Sequence, residues 1–266
     1  IRRVINKLVS EEDLIRTVTT AYGAGWRNVK LYFMCGLPTE TDEDILQIAT
    51  MAKEVIRAGR EASGRRDIKC TVSIGGFVPK PHTPFQWAAQ LDHEATDARL
   101  HKLKDAIRND KEFGKAIGLR YHDGKPGIVE GILSRGDRRV GNIIETVWKN
   151  GARFDGWGEY FSFDRWMESA QYALEGTGVD VDWFTTRERD YTEVLPWDHL
   201  DSGLDSEWLW EDWQDALAEV AVDDCRWTPC FDCGVCEQMD TEIQVGPTGV
   251  TDLPMPIPRV SPVLAQ

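Results

Sequence analysis

Two apolar runs, residues 29–35 (VKLYFMC) and 71–78 (TVSIGGFV), are separated by a stretch that reads as one long helix, and this spacing constrains the fold most. Antiparallel neighbours can be joined by a tight turn, whereas parallel strands need a crossover of a dozen or more residues, usually helical. Thr41, followed by Asp42, Glu43 and Asp44, starts that helix, and Ile45, Leu46, Ile48, Ala49, Ala52 and Val55 repeat at helical spacing through Ile56. Another helix precedes the first run. Ser10 with Asp13 forms a capping-box pattern, and Leu14, Ile15, Val18 and Ala21 follow until Gly23 and Gly25. The order predicts an α/β fold with a parallel sheet covered by helices on one or both faces.

Beyond Trp87 the pattern changes. A charged helix is expected over 92–117, a short strand over 119–122, and helices over 127–133 and 137–150. Charge divides the chain sharply: residues 1–154 hold 26 Lys and Arg against 20 Asp and Glu, whereas 155–224 hold 3 against 20. The late segment would repel a phosphate backbone, which argues against nucleic-acid binding there. It also carries seven of the eleven tryptophans (157, 166, 183, 197, 208, 210 and 213), so a separate helical module with its own aromatic core is expected. The expected divisions are 1–90, 91–154, 155–222, a cysteine segment over 223–238 and a flexible tail over 239–266. No run approaches the roughly 18 to 20 apolar residues that cross a bilayer, and the chain opens on no export-signal pattern; a cytoplasmic protein is expected.

The ends of both apolar runs are chemically suggestive. Ligands of parallel α/β sheets bind at the carboxyl ends of strands. There the first run delivers Met34, Cys35, Gly36, Leu37 and Pro38, and the second delivers FVPKPHTPFQW over 77–87, whose three prolines exclude it from a sheet ladder. Taken in order, Asn6-Lys7, VKLYFM-C-GLPTET and FVPKPHTPFQW resemble the later core strands of radical S-adenosylmethionine (SAM) proteins. The likeness is strongest to an uncharacterised family in which a cobalamin-binding domain precedes the barrel, with methylthiotransferases as more distant relatives. The GDRR, LPWDHLD and terminal cysteine stretches also resemble that family's extension.

This resemblance implies the C-terminal portion of a partial (β/α) barrel of TIM type. An upstream three-cysteine loop would hold a 4Fe-4S cluster, its open iron would bind SAM, and reductive cleavage would give a 5'-deoxyadenosyl radical acting on an unknown substrate. Met34, Gly36 and Leu37 match the adenine-contacting motif of the fifth strand, Phe77 and Val78 the sixth strand, and Asn6 and Lys7 the end of the ribose motif. Neither the three-cysteine loop nor a cobalamin domain lies in these 266 residues. The missing part would come from the same protein or a companion chain, and this fragment alone would be inactive.

Cys225, Cys230, Cys233 and Cys236 give C-x4-C-x2-C-x2-C, in which two-residue gaps let thiolates converge and Gly234 supplies a tight turn. Four thiolates could hold an auxiliary 4Fe-4S cluster or structural zinc, or could remain reduced and unligated. A zinc-stabilised interaction module is the non-enzymatic alternative for the whole. Cys35 and Cys70 read as buried small hydrophobes. Lesser candidates are His82 facing a substrate, His199 between Asp198 and Asp201 as an acid–base pair, and Asp137, Arg138 and Arg139 as an anion site.

Overall fold

The structure, a computed structural model, describes residues 1–7 and 9–243. Three parallel strands, β1 (Asn28–Cys35), β2 (Lys69–Gly76) and β3 (Ile117–Tyr121), pair in the order β1-β2-β3. Helix α1 (Glu11–Gly23) precedes β1, α2 (Asp42–Ser63) connects β1 to β2, and α3 (His93–Arg108) lies between β2 and β3. Both expected N-termini are built as the sequence indicates: Ser10 and Thr41 accept from the backbone of Asp13 and Asp44, whose carboxylates return the contact to the cap N–H.

The helices cover one face of the sheet. Leu31, Cys35, Cys70, Val72, Ile74 and Ile117 form a core with Val18 and Tyr22 of α1, Ile45, Ala52 and Ile56 of α2, and Leu100 and Leu103 of α3. Because strand side chains alternate, the opposite face presents Asn28, Lys30, Tyr32 and Met34, then Lys69, Thr71, Ser73 and Gly75, then Gly118 and Arg120. Register aligns Tyr32 with Ser73 and Ser73 with Arg120. This face is exposed or half-exposed throughout, and among the described residues the outer edge of β1 pairs with no strand.

Helix α4 (Lys125–Arg135), α5 (Arg139–Lys149), α6 (Phe163–Ala173) and the short α7 (Val181–Phe184) share a second core built on Ile132, Ile143, Trp166, Ala170 and Phe184. Helix α8 (Ser206–Leu217) forms a third with residues 84–88, a 3-10 turn and the residue after it. The single-turn α9 (Val235–Gln238) follows. Among the described residues, no helix is long and apolar enough to cross a membrane.

Three expectations need correction. The helix expected over 92–117 ends at Arg108, because the Asp110 carboxylate captures the N–H groups of Glu112 (3.0 Å) and Phe113 (2.7 Å) and turns the chain, so Ile117 begins β3. The second apolar run ends as a strand at Gly76, leaving Phe77 and Val78 in the loop. The tryptophans make no single core of their own: Trp166 joins the α4–α7 core, Trp197, Trp208, Trp210 and Trp213 pack around Trp87 of the earlier segment, and Trp157 is largely exposed. Most of the tail expected over 239–266 lies outside the described residues.

Candidate functional site at the strand ends

The end of β1 is built around a buried carboxylate. Gly36 has a φ of +93°, which a side chain would strain, and a Cβ there would lie 3.2 Å from the Cβ of Leu91. The turn it permits brings Glu40 back beneath the strand, where its Oε1 and Oε2 accept from the Gly36 N–H at 2.9 and 3.2 Å. Arg99 of α3 completes the arrangement, donating from Nη1 to Glu40 Oε1 at 2.7 Å and from Nη2 to the Glu40 carbonyl at 3.0 Å. Burial raises the Glu40 pKa above its ordinary value despite these donors. Sequence reasoning missed this pair as a unit. The available signal was an acid five residues beyond an apolar strand, with no local base to pair it.

Of the residues matched to a SAM site, Met34 projects from the open face of the sheet, while Gly36 and Leu37 are buried in the turn. Phe77 continues the ladder by one bond, its N–H donating to the Cys35 carbonyl at 2.8 Å, and its ring meets Phe85 edge-on at 5.5 Å. Val78 is buried. Asn6 donates from Nδ2 to the carbonyl of Val222 at 2.8 Å, far along the chain, and Lys7 is exposed. Met34, Gly36, Leu37, Phe77 and Val78 are thus gathered at one end of the sheet. The missing Cβ of Gly36 faces Leu91, so protein already fills the space on that side of the glycine.

The segment from Phe77 to Trp87 runs as a strap from that end towards the later helices. Gln86 is its hinge pin: the buried Oε1 accepts from the His82 N–H at 3.1 Å and from Trp197 Nε1 at 2.7 Å. Arg135, fully buried, donates to the carbonyls of Thr185 and Ala88, both at 2.8 Å, and Arg189 donates to those of Arg135 and Phe184 at 3.0 and 3.1 Å. Both guanidiniums therefore sit against carbonyls at helix ends, where the backbone dipole is negative. Burial lowers their pKa values, to about 9 for Arg135 and about 10 for Arg189. The sequence signal for Arg135 was a base in phase with Ile128, Val129 and Ile132 on the apolar side of α4.

The lesser candidates are engaged locally. Asp198 and Asp201 accept from the backbone N–H groups of Leu195 and Gly203 (2.7 and 2.8 Å), so neither carboxylate orients the exposed His199. Asp137 accepts from the Arg139 backbone and guanidinium, closing the start of α5 on itself. His82 sits at a φ of +54°, held by its backbone contact to Gln86.

At the other end of the chain, Cys230 Sγ accepts from the Asp232 N–H at 3.4 Å, and Gly234 has a φ of +90°. The first feature lies within the Cys230–Cys233 pair and the second within the Cys233–Cys236 pair. The segment docks on α8: the Asp205 N–H donates to the Cys233 carbonyl at 3.0 Å, and Phe231 stacks on Trp208 at 5.5 Å. None of the four thiols is in a disulfide. Their donor chemistry fits a thiolate-bound metal, but their arrangement does not yet close one: among the described residues, no three His, Cys, Asp or Glu side chains are gathered tightly enough to hold an ion.

Compared with known proteins, the chain is 30% identical over 145 residues to an uncharacterised protein of Methanocaldococcus jannaschii. The match covers 54% of this chain and 29% of that protein, so the chain spans less than a third of the relative's length. No protein-family profile matches the chain, and no solved structure does.

Proposed function

We propose that this chain supplies the later strands of a radical SAM barrel, completed by strands that precede it in a longer protein or come from a companion chain. One observation carries the reading. Three parallel strands progress in a single direction with their helices on one face, leaving a polar opposite face and an unpaired β1 edge. A doubly wound sheet reverses strand order and covers both faces, whereas a barrel advances steadily and keeps its helices outside. Added strands on the β1 edge would turn the face of Lys30, Tyr32, Met34, Ser73 and Arg120 into a lumen. The greater length of the archaeal relative is compatible with such a partner segment.

In this reading a cluster held by the preceding segment would supply, together with SAM, radical chemistry for hydrogen abstraction. This chain's part is to hold the nucleoside end of SAM near Met34 and Phe77, with Glu40 and Arg99 fixing the turn. The protein extended to include a three-cysteine loop, loaded anaerobically with iron and sulfide and reduced, should form 5'-deoxyadenosine from SAM. The 266-residue chain alone should form none. A loaded extended protein that cleaves no SAM would refute the proposal.

A second reading, a zinc-stabilised interaction module, is favoured by the Cys230 turn and its docking on α8. Metal analysis after reconstitution separates the two. About four irons per chain would mark an auxiliary 4Fe-4S cluster on the terminal cysteines, whereas zinc retained without iron uptake would mark the module. Cobalamin, if used, would bind outside these residues.

A further inference from the structure

An open groove of about 960 Å³ runs between the start of α3 and helices α4, α6 and α7. Ile128, Phe163, Met167 and Val181 make it apolar, and Met167 and Phe163 are only half-buried, packed on the edge of the α4–α7 core. Its lining carboxylates are Asp92, Glu94, Glu168, Glu175, Asp180 and Asp182, with no Lys or Arg among the described lining residues. Asp92 and Asp180 cap α3 and α7 by accepting from backbone N–H groups. Glu94, Glu168, Glu175 and Asp182 have no ion pair among the described residues. Two bases meet the Phe163 ring: the lining His93 edge-on, with ring centres 5.0 Å apart, and Lys125, its Nζ 5.5 Å from the ring centre.

We propose that this groove docks a lysine- or arginine-rich amphipathic segment of a partner protein, its apolar side chains on Phe163 and Met167 and its bases on the acidic rim. Such a segment satisfies both halves of the surface at once, as an amphipathic helix does in a hydrophobic groove. A small polycation would meet the acids but leave the apolar floor wet. A nucleic acid is repelled by the rim. Methionine at the centre suits the role, because its unbranched thioether adapts to varied apolar partners. The inference does not depend on the barrel reading.

The test is fluorescence anisotropy of a labelled leucine–lysine amphipathic peptide titrated with the intact chain. Saturable one-to-one binding that weakens with salt is expected. The exposed pair Glu168→Lys/Glu175→Lys should weaken it at least about tenfold, or about 1.4 kcal/mol. Glu207→Lys/Glu211→Lys, an equal charge change on exposed positions of α8, should leave it unchanged. The same peptide with its leucines replaced by serines should also bind about tenfold more weakly. Equal losses in both pairs would reduce the effect to bulk attraction and overturn the proposal. So would undiminished binding of the serine peptide, or full displacement by spermidine at matched charge.

Discussion

Replacing Glu40 by alanine tests how the end of β1 is held. The change removes the acceptor of the buried Gly36 N–H and the carboxylate 2.7 Å from Arg99 Nη1. An unsatisfied buried N–H costs about 1–3 kcal/mol, and breaking a buried ion pair from one side costs about 3–5 kcal/mol. The second figure must be discounted, because the Arg99 side chain is 20% exposed and still reaches the residue-40 carbonyl. The two effects also overlap in the same carboxylate, so about 2–4 kcal/mol in total is expected, a fall of about 1–2 M in the urea midpoint. Glu40→Gln keeps an oxygen for the Gly36 N–H and relieves the buried charge, so it should cost about 1 kcal/mol. The pH dependence follows from the raised pKa. Since the folded state holds the Glu40 proton more tightly than the unfolded state, Glu40 contributes stability at acid pH that is lost as pH rises from 4.5 through the raised value. Glu40→Gln should remove that slope. Urea titrations followed by tryptophan fluorescence on both sides of this window measure all three. An alanine variant losing under about 1 kcal/mol, or a glutamine variant as damaged as alanine, would refute the reasoning.

Thiol labelling of the metal-free chain near pH 8 should modify Cys225, Cys230, Cys233 and Cys236 and spare Cys35 and Cys70, whose pKa values burial pushes up to about 12; mass spectrometry reads the sites. If zinc or iron binds the terminal set, loading should protect those four together, and unaltered labelling would count against a shared centre. Asp110 is held down to about 2 by Lys53 and by the Phe113 and Glu112 N–H groups, so its stabilising contribution is present above 3.8 and lost as pH falls towards 2. Asp110→Asn should flatten acid denaturation in that window. Gly59→Ala would place a Cβ 2.6 Å from the Tyr22 ring, which is pinned by its hydroxyl donating to the Lys69 carbonyl. Overpacking of about 1–3 kcal/mol should outweigh a helix gain of about 1 kcal/mol, and a raised Tm in this variant would contradict the close packing of α1 on α2.

The first ninety residues were the legible part, for a physical reason. Their helices carry local caps, as at Ser10 and Thr41, and their strands bury one face in alternation, so short-range pattern and long-range packing agree. The sequence pattern overstates the length of α3 because an amphipathic repeat continues past Arg108 to Phe113 and Ile117, and only the Asp110 carboxylate turning onto its own backbone breaks it. At the candidate site, the sequence located the strand ends but not what fills them. Leu91 over Gly36 and Arg99 on Glu40 come from 55 and 59 residues away, a separation no local pattern encodes.

The same limit explains the late acidic segment. Composition suggests a self-contained aromatic module, yet tryptophan needs both apolar area and a partner for its N–H, and the earlier strap provides apolar contact for Trp210 and Trp213 and the N–H partner of Trp197. Phe85 meets Phe77 on one side and Trp213 on the other, both edge-on, while Gln86 takes the N–H of Trp197. Helix α8, which carries Trp213, also holds the cysteine segment through Asp205 and Trp208. Contacts therefore run without a gap from Cys233 to α8, to the strap, and through Phe77 to Cys35 at the end of β1. Closing a metal centre on the terminal thiols would stiffen the first link of that series, because metal binding is coupled to local folding. A four-cysteine segment remote in sequence is in this way mechanically adjacent to the strand ends where the proposed chemistry would take place.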